Sequence, residues 1–96
     1  MARREMKFVL VTGASGFLGL AVVQKLLSLG VSVRALVRSD KKGEHLRQSG
    51  VAIVVGDIRD SAMHAAIADV DTVIHCAATI GSSSISREVL RIRRIR

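Results

Sequence analysis

The chain alternates short, continuous apolar runs with longer segments in which apolar residues recur at helical spacing. Phe8–Thr12 (FVLVT) is the first run, and a stretch apolar at successive positions fits a strand buried on both faces of a sheet. The turn Gly13-Ala-Ser-Gly16 follows at once. From Phe17 to about Leu29, the residues Leu18, Val22, Leu26 and Leu29 recur at i, i+4, i+8 and i+11, which predicts a helix with one apolar face and Gly30 as its stop. Val31 to Val37 (VSVRALV) reads as a second strand. Ser39 and Asp40 offer caps for a short helix through Gln48, closed by Ser49-Gly50, and Val51 to Val55 reads as a third strand. Gly56-Asp57 ends that strand. Asp60 or Ser61 can cap an Ala-rich third helix through about Ala68, and Thr72 to Cys76 completes a fourth strand.

Strands alternating with helices in this way predict an α/β fold with a four-stranded parallel sheet. Right-handed crossovers then give the strand order 3-2-1-4, with a topological switch between the first and fourth strands. Ligands of such sheets sit in the crevice beyond the carboxyl ends of the strands. The fourth strand is expected to leave an open apolar edge, an invitation to self-association.

Composition narrows this picture. Apolar residues make up 49% of the 96 and charged residues 24%, which excludes a disordered or low-complexity chain. There is no Trp, Tyr or Pro and only two Phe, so the core must be built from Val, Ile, Leu and Ala. The net charge of +7 is uneven: Arg87–Arg96 holds five Arg and one Glu, leaving +3 for residues 1–86. The basic excess is therefore mostly a property of residues 81–96, a Ser/Arg-rich tail, and not a signature of the folded part. A single cysteine, Cys76, cannot form an internal disulfide and supports no metal cluster. The apolar run after the basic N-terminus is too short for a signal peptide, and no stretch is long enough for a membrane span, so the chain reads as cytoplasmic.

The segment Thr12-Gly-Ala-Ser-Gly-Phe-Leu-Gly19 carries the candidate chemistry. Gly13 permits a tight exit from the strand, Gly16 lets backbone amides approach a phosphate, and Gly19 lets the helix pack closely on the sheet. Gly13, Ala14, Ser15, Gly16, Phe17, Leu18 and Gly19 together form a candidate pyrophosphate cradle at a helix N-terminus, where unpaired N–H groups and the positive dipole end favour an anion. A purely structural turn is the competing reading, but the flanking strand and helix favour a dinucleotide site. At the end of the second strand, Arg38 suits a 2′-phosphate and so favours NADP over NAD, against a solvated surface Arg; Asp40 close by works against that preference. Asp57, after the third strand, either faces an adenine or caps a turn.

The motifs T-G-A-S-G-F-L-G at 12–19, V-R-A-L-V-R at 33–38, G-D-I-R-D at 56–60 and D-T-V-I-H-C-A-A at 71–78 resemble, in order and spacing, the N-terminal part of the extended or atypical short-chain dehydrogenases/reductases. That group includes NAD-dependent epimerase/dehydratases, dihydroflavonol-reductase-like and NmrA-like proteins. The resemblance implies a partial Rossmann fold, with residues 1–80 as the N-terminal half of an NAD(P)-binding domain. It implies that Asp57 accepts from the adenine amine and Ile58 packs near the ring, while Ala77 and Ala78 keep the chain thin beside the cofactor. His75 is read as a strand residue and not a proton carrier, Cys76 as a small buried residue, His45 and His64 as solvated or packed, and Asp60 as a helix cap. The family's Ser/Thr and Tyr-x-x-x-Lys lie further along the chain; this sequence has no Tyr, and Ser82–Ser84 come too early to stand in, so no catalytic residue is assigned.

These features point first to a dinucleotide-binding fragment of an epimerase/dehydratase-like or reductase-like protein. A non-catalytic NADP-sensing or protein-interaction module is the alternative. Ile85, Val89 and Ile92 share a helical face, so the tail predicts either a basic amphipathic helix, able to meet a membrane surface or nucleic acid, or a segment with no selected role. No aromatics interleave the arginines, so specific nucleic-acid binding is not expected.

Overall fold

In the computed structural model, which describes residues 6–14, 16–59, 61–80 and 86–95, the elements run β1 (Phe8–Thr12), α1 (Phe17–Ser28), β2 (Ser32–Val37), α2 (Asp40–Gln48), β3 (Ala52–Val55), α3 (Ala62–Ile67), β4 (Thr72–Ile80) and β5 (Ser86–Arg94). They form a Rossmann-like partial fold whose single sheet has the order β3-β2-β1-β4-β5. The first four strands are parallel in the expected order, with β1 in register with β2 (Val11 beside Ala35) and with β4 (Val11 beside Ile74). The central position of β1 follows from its sequence. Val9, Leu10 and Val11 are fully buried, which a strand achieves only with neighbours on both edges and cover on both faces.

Alternation along β1 divides the core. Val9 and Val11 face α1 and α2, packing with Val23, Leu26, Leu46 and Ile74, whereas Leu10 faces α3 and packs with Leu36, Ala66 and Val70. On α1 the buried line is Gly19, Val23 and Leu26, one residue round from the expected face; Leu18 and Val22 are half-buried and Leu29 is 63% exposed. The helix is rotated because its closest approach falls at Gly19, where no side chain intervenes, and i+4 and i+7 from that point define the contact line.

Two charged residues fasten the layers. The Arg34 guanidinium lies 4.6 Å from the Phe8 ring centroid, and its Nη1 donates to the carbonyls of Ala66 (2.8 Å) and Ala68 (2.7 Å), capping the end of α3. Asp71, at the start of β4, accepts from the amides of Lys7 (2.9 Å) and Phe8 (2.8 Å) and from Thr72 Oγ1 (2.7 Å), and its carbonyl accepts from Ile95 N at 2.8 Å. Burial pushes the Asp71 carboxyl up. The donors from Thr72, Phe8 and Lys7, with the Arg94 charge, outweigh burial and hold it below the usual range.

Three expectations are corrected at the C-terminal end. The described part of the tail is the strand β5, not an amphipathic helix, and it pairs antiparallel with β4 over nine residues from Thr72↔Arg94 to Ile80↔Ser86. Ile85 lies outside the described residues. The helical spacing of Val89 and Ile92 is overridden because the edge of β4 presents a row of unpaired N–H and C=O groups that only an extended segment satisfies. β4 therefore has no open edge, and self-association through it loses its structural basis. β4 also runs past the expected Cys76. Because β4 pairs with β1 only over Thr72–His75, residues 76–80 and 86–90 continue as a two-stranded arm beyond the parallel sheet. The new outer edge carries the exposed Arg91 and Arg93, charges that discourage further strand pairing.

Candidate functional site

The carboxyl ends of the parallel strands open into a cleft of ≈ 380 Å³ whose wall includes Thr12, Gly13, Gly19, Arg38, Asp57 and His75. It lies at the switch between β1 and β4, where the strand order reverses. Its floor is the glycine turn. Gly13 has φ +68°, and a Cβ there would lie 1.9 Å from the carbonyl oxygen of Cys76, so the turn rests directly on β4. A Cβ on Gly19 would lie 2.1 Å from the Gly13 carbonyl oxygen, which brings the first turn of α1 down onto the same loop. Gly16 N donates to Gly13 O at 3.1 Å and Gly16 is the N-cap of α1, which has no side-chain cap and no acidic residue in its first turn. The helix thus presents its orphan amides and positive end to the cleft without a competing anion of its own.

Of the residues singled out in the sequence, Gly13, Gly16, Leu18, Gly19, Arg38, Asp57 and Ile58 share this cleft. Ala14 is buried beneath the turn, and Phe17 stands 85% exposed at the start of α1, outside the cleft wall. Ser15, Asp60 and Ser82–Ser84 lie outside the described residues. Ala77 and Ala78 continue β4, paired with Val89 and Glu88, and do not terminate it. His45 and His64 are exposed on α2 and α3, as expected.

Lys42, Thr12, His75 and Cys76 line the cleft wall but were not marked as site residues. Lys42 sits one turn into α2, whose start is fixed by Ser39 accepting from Lys42 N at 3.3 Å, and joins Arg38 on the wall of the cleft. The Ser39 cap was legible, but the direction in which α2 leaves the sheet, which decides where Lys42 lies, was not. His75 and the buried Thr12 are neighbours in the β1–β4 register and share a hydrogen bond between Nδ1 and Oγ1, so the imidazole is anchored within the wall of the cleft. Cys76 is buried in the same wall.

Asp57 caps a turn and lines the cleft at once. Its Oδ1 accepts from Arg59 N (3.0 Å) and Nε (3.2 Å), and its Oδ2 from Arg59 Nη2 (3.1 Å). The side-chain and backbone donors of Arg59, aided by the charges of Arg59 and Arg38, lower the carboxyl from its ordinary 3.8 to about 2. Since the folded value lies below the unfolded one, the stabilisation is complete above the unfolded value and disappears as pH falls through about 2. The melting temperature of Asp57→Asn is therefore expected to lie a constant interval below the wild type from neutrality to about pH 5, the two curves converging near the bottom of the titration. A gap that persists unchanged to that pH would contradict the ionised state as its cause.

Residues 9–90 match the sequence profile of the NAD dependent epimerase/dehydratase family. The chain is 41% identical over 86 residues to the decarboxylating sterol-4-alpha-carboxylate 3-dehydrogenase of Dictyostelium discoideum, covering 88% of this chain and 26% of that protein. Among solved structures, it superposes on a short-chain dehydrogenase/reductase superfamily protein from Agrobacterium tumefaciens with bound NAD (TM-score 0.62, 33% identity, 78% of this chain, 21% of the other). It also superposes on a candidate NAD-dependent epimerase/dehydratase from Bacillus halodurans (TM-score 0.68, 31% identity, 83% of this chain, 38% of the other). The chain thus spans about a quarter of the length of the Dictyostelium relative. Among the described residues, no helix is long and apolar enough to cross a membrane.

Proposed function

The chain belongs to the NAD-dependent epimerase/dehydratase family, and from that premise we propose that its first 80 residues bind a dinucleotide across the carboxyl ends of the strands, with NADP preferred over NAD. The observation that carries this reading is the union, in one cleft, of an uncapped helix N-terminus seated on a glycine turn with two cations, Arg38 and Lys42. The glycine turn suits a pyrophosphate, because tight packing at Gly13 and Gly19 seats the start of α1 at the cleft with no side-chain cap on its first amides. The adenine end lies toward Asp57 and Ile58, and Asp57, kept ionised, accepts from the exocyclic amine. Arg38 and Lys42 take the 2′-phosphate, Arg38 by a charge-assisted fork and Lys42 as a point charge. The nicotinamide end runs toward β4, past Thr12 and His75, and the backbone of Ala77 and Ala78.

A bound nicotinamide supplies a hydride donor or acceptor. The residues of this chain bind and orient it. The chain contains no tyrosine, so the family's tyrosine-dependent proton transfer is not assigned to these 96 residues, and the substrate class of the whole protein is that of an epimerase-like or reductase-like member of the family.

Titration calorimetry with each cofactor tests the reading. NADP is expected to bind more tightly than NAD, and Arg38→Ala to weaken NADP by roughly 10- to 100-fold, the range for a charge-assisted hydrogen bond, while leaving NAD within about twofold. Equal losses for both cofactors would reject the NADP assignment. Failure of the wild type to bind either would reject the site.

A further inference from the structure

Asp40 poses a problem for an NADP site. It is the first residue of α2, where a carboxylate favours the helix dipole, yet it stands two residues from Arg38 and two from Lys42. An uncompensated carboxylate there would repel a 2′-phosphate or draw off the cations meant to hold it. The structure shows where that charge goes. Arg47 Nη2 donates to Asp40 Oδ1 at 2.5 Å, and Arg47 Nη1 donates to Glu44 Oε2 at 3.3 Å. Positions 40, 44 and 47 form one stripe of α2, whereas position 42 is turned about 200° from position 40, at about 100° per residue. Lys42 lines the cleft and Asp40 does not. The short helix therefore keeps Lys42 at the cleft and ties its two acids to Arg47 on another side.

We propose that Arg47 is a positioning residue for cofactor selection: by pairing with Asp40 it neutralises the acid that α2 places two residues from both Arg38 and Lys42, so that this carboxylate does not draw those cations from the phosphate subsite. The inference rests on the NADP reading above. The pair is solvent-exposed, with side chains 44% and 70% accessible, so it contributes little to stability, and its effect belongs in specificity. Asp40 is held below the usual carboxylate range by the hydrogen bond and charge of Arg47, in keeping with a tight pair.

The test uses calorimetric titration of the full chain with NADP and with NAD at low salt, for wild type, Arg47→Ala, Arg47→Lys, Asp40→Asn and Asp40→Asn/Arg47→Ala. Arg47→Ala is expected to weaken NADP on the order of fivefold, as a newly bare carboxylate near a dianion should at low salt, and to leave NAD unchanged. Arg47→Lys should retain most of the NADP affinity, and adding Asp40→Asn to Arg47→Ala should restore it. Loss of NAD and NADP affinity alike, or loss that Asp40→Asn does not rescue, would make Arg47 merely structural and overturn the inference. NADP affinity left unchanged by Arg47→Ala, with the wild-type preference for NADP intact, would overturn this inference alone. A wild type indifferent between the cofactors would overturn the NADP reading and this inference with it.

Discussion

Alanine in place of Gly13 is expected to cost several kcal/mol of stability and to abolish dinucleotide binding. Two penalties coincide at this position. The backbone sits at φ +68°, where an L side chain costs about 1–2 kcal/mol, and the added Cβ would lie 1.9 Å from the Cys76 carbonyl oxygen. That oxygen belongs to the backbone of β4 and cannot swing aside as a side chain does. Relief requires β1 and β4 to part or the turn to lift off the sheet, and either movement dismantles the cleft floor. Gly30 provides the control: its φ is +77°, but nothing lies within 4 Å of its Cβ position, so Gly30→Ala should lose only the conformational term of about 1 kcal/mol. Against a total stability of about 5–15 kcal/mol for a domain of this kind, the two variants should differ plainly in urea midpoint. Equal losses in urea unfolding would show that the Cys76 contact is not what the turn depends on.

Leu10→Ala is expected to destabilise the chain by about 2–5 kcal/mol, the range for deleting a fully buried leucine. Leu10 is 0% exposed at the middle of the central strand and is the side chain through which β1 holds the α3 layer. That layer rests on a six-residue helix, Ala62–Ile67, whose buried residue is the small Ala66, so its hold on the sheet depends on Leu10 and the side chains around it. Ile92→Ala, on β5 and 57% exposed, should change stability by no more than about 0.5 kcal/mol. Thermal unfolding followed by circular dichroism compares them, and a Leu10→Ala loss as small as that of Ile92→Ala would contradict the two-layer core.

The parallel part of the fold was legible because its strands are buried on both faces and so read as unbroken apolar runs punctuated by glycine. Val9 through Thr12 announces a central strand by composition alone, and the glycine turn after it places the switch-point cleft. What escaped sequence reading depends on contacts between distant elements. The glycine spacing announced a close approach at Gly19, but the spacing of Leu18, Val22 and Leu26 placed the buried face one residue round from it. Val89 and Ile92 suit a helical face as well as a strand, and only the free edge of β4 decides between them. Arg34 looks misplaced within an apolar strand until the carbonyls of Ala66 and Ala68 arrive beneath it. In the cleft, the glycines, Arg38 and Asp57 carry their own chemical signatures. Lys42 does not, because its role is set by the angle of α2.

The clamp at Asp71 has a kinetic meaning. Its carboxylate accepts hydrogen bonds from amides 63 and 64 positions earlier in the chain, so β1 is tied down at one end by a residue that is synthesised long after it. The strand made first waits for the strand made fourth, and every intermediate before that point carries a central strand with one bare edge. Long-range closure of this sort slows folding relative to local helix and hairpin formation. In the interval, the edge of β1 that β4 later covers stands open.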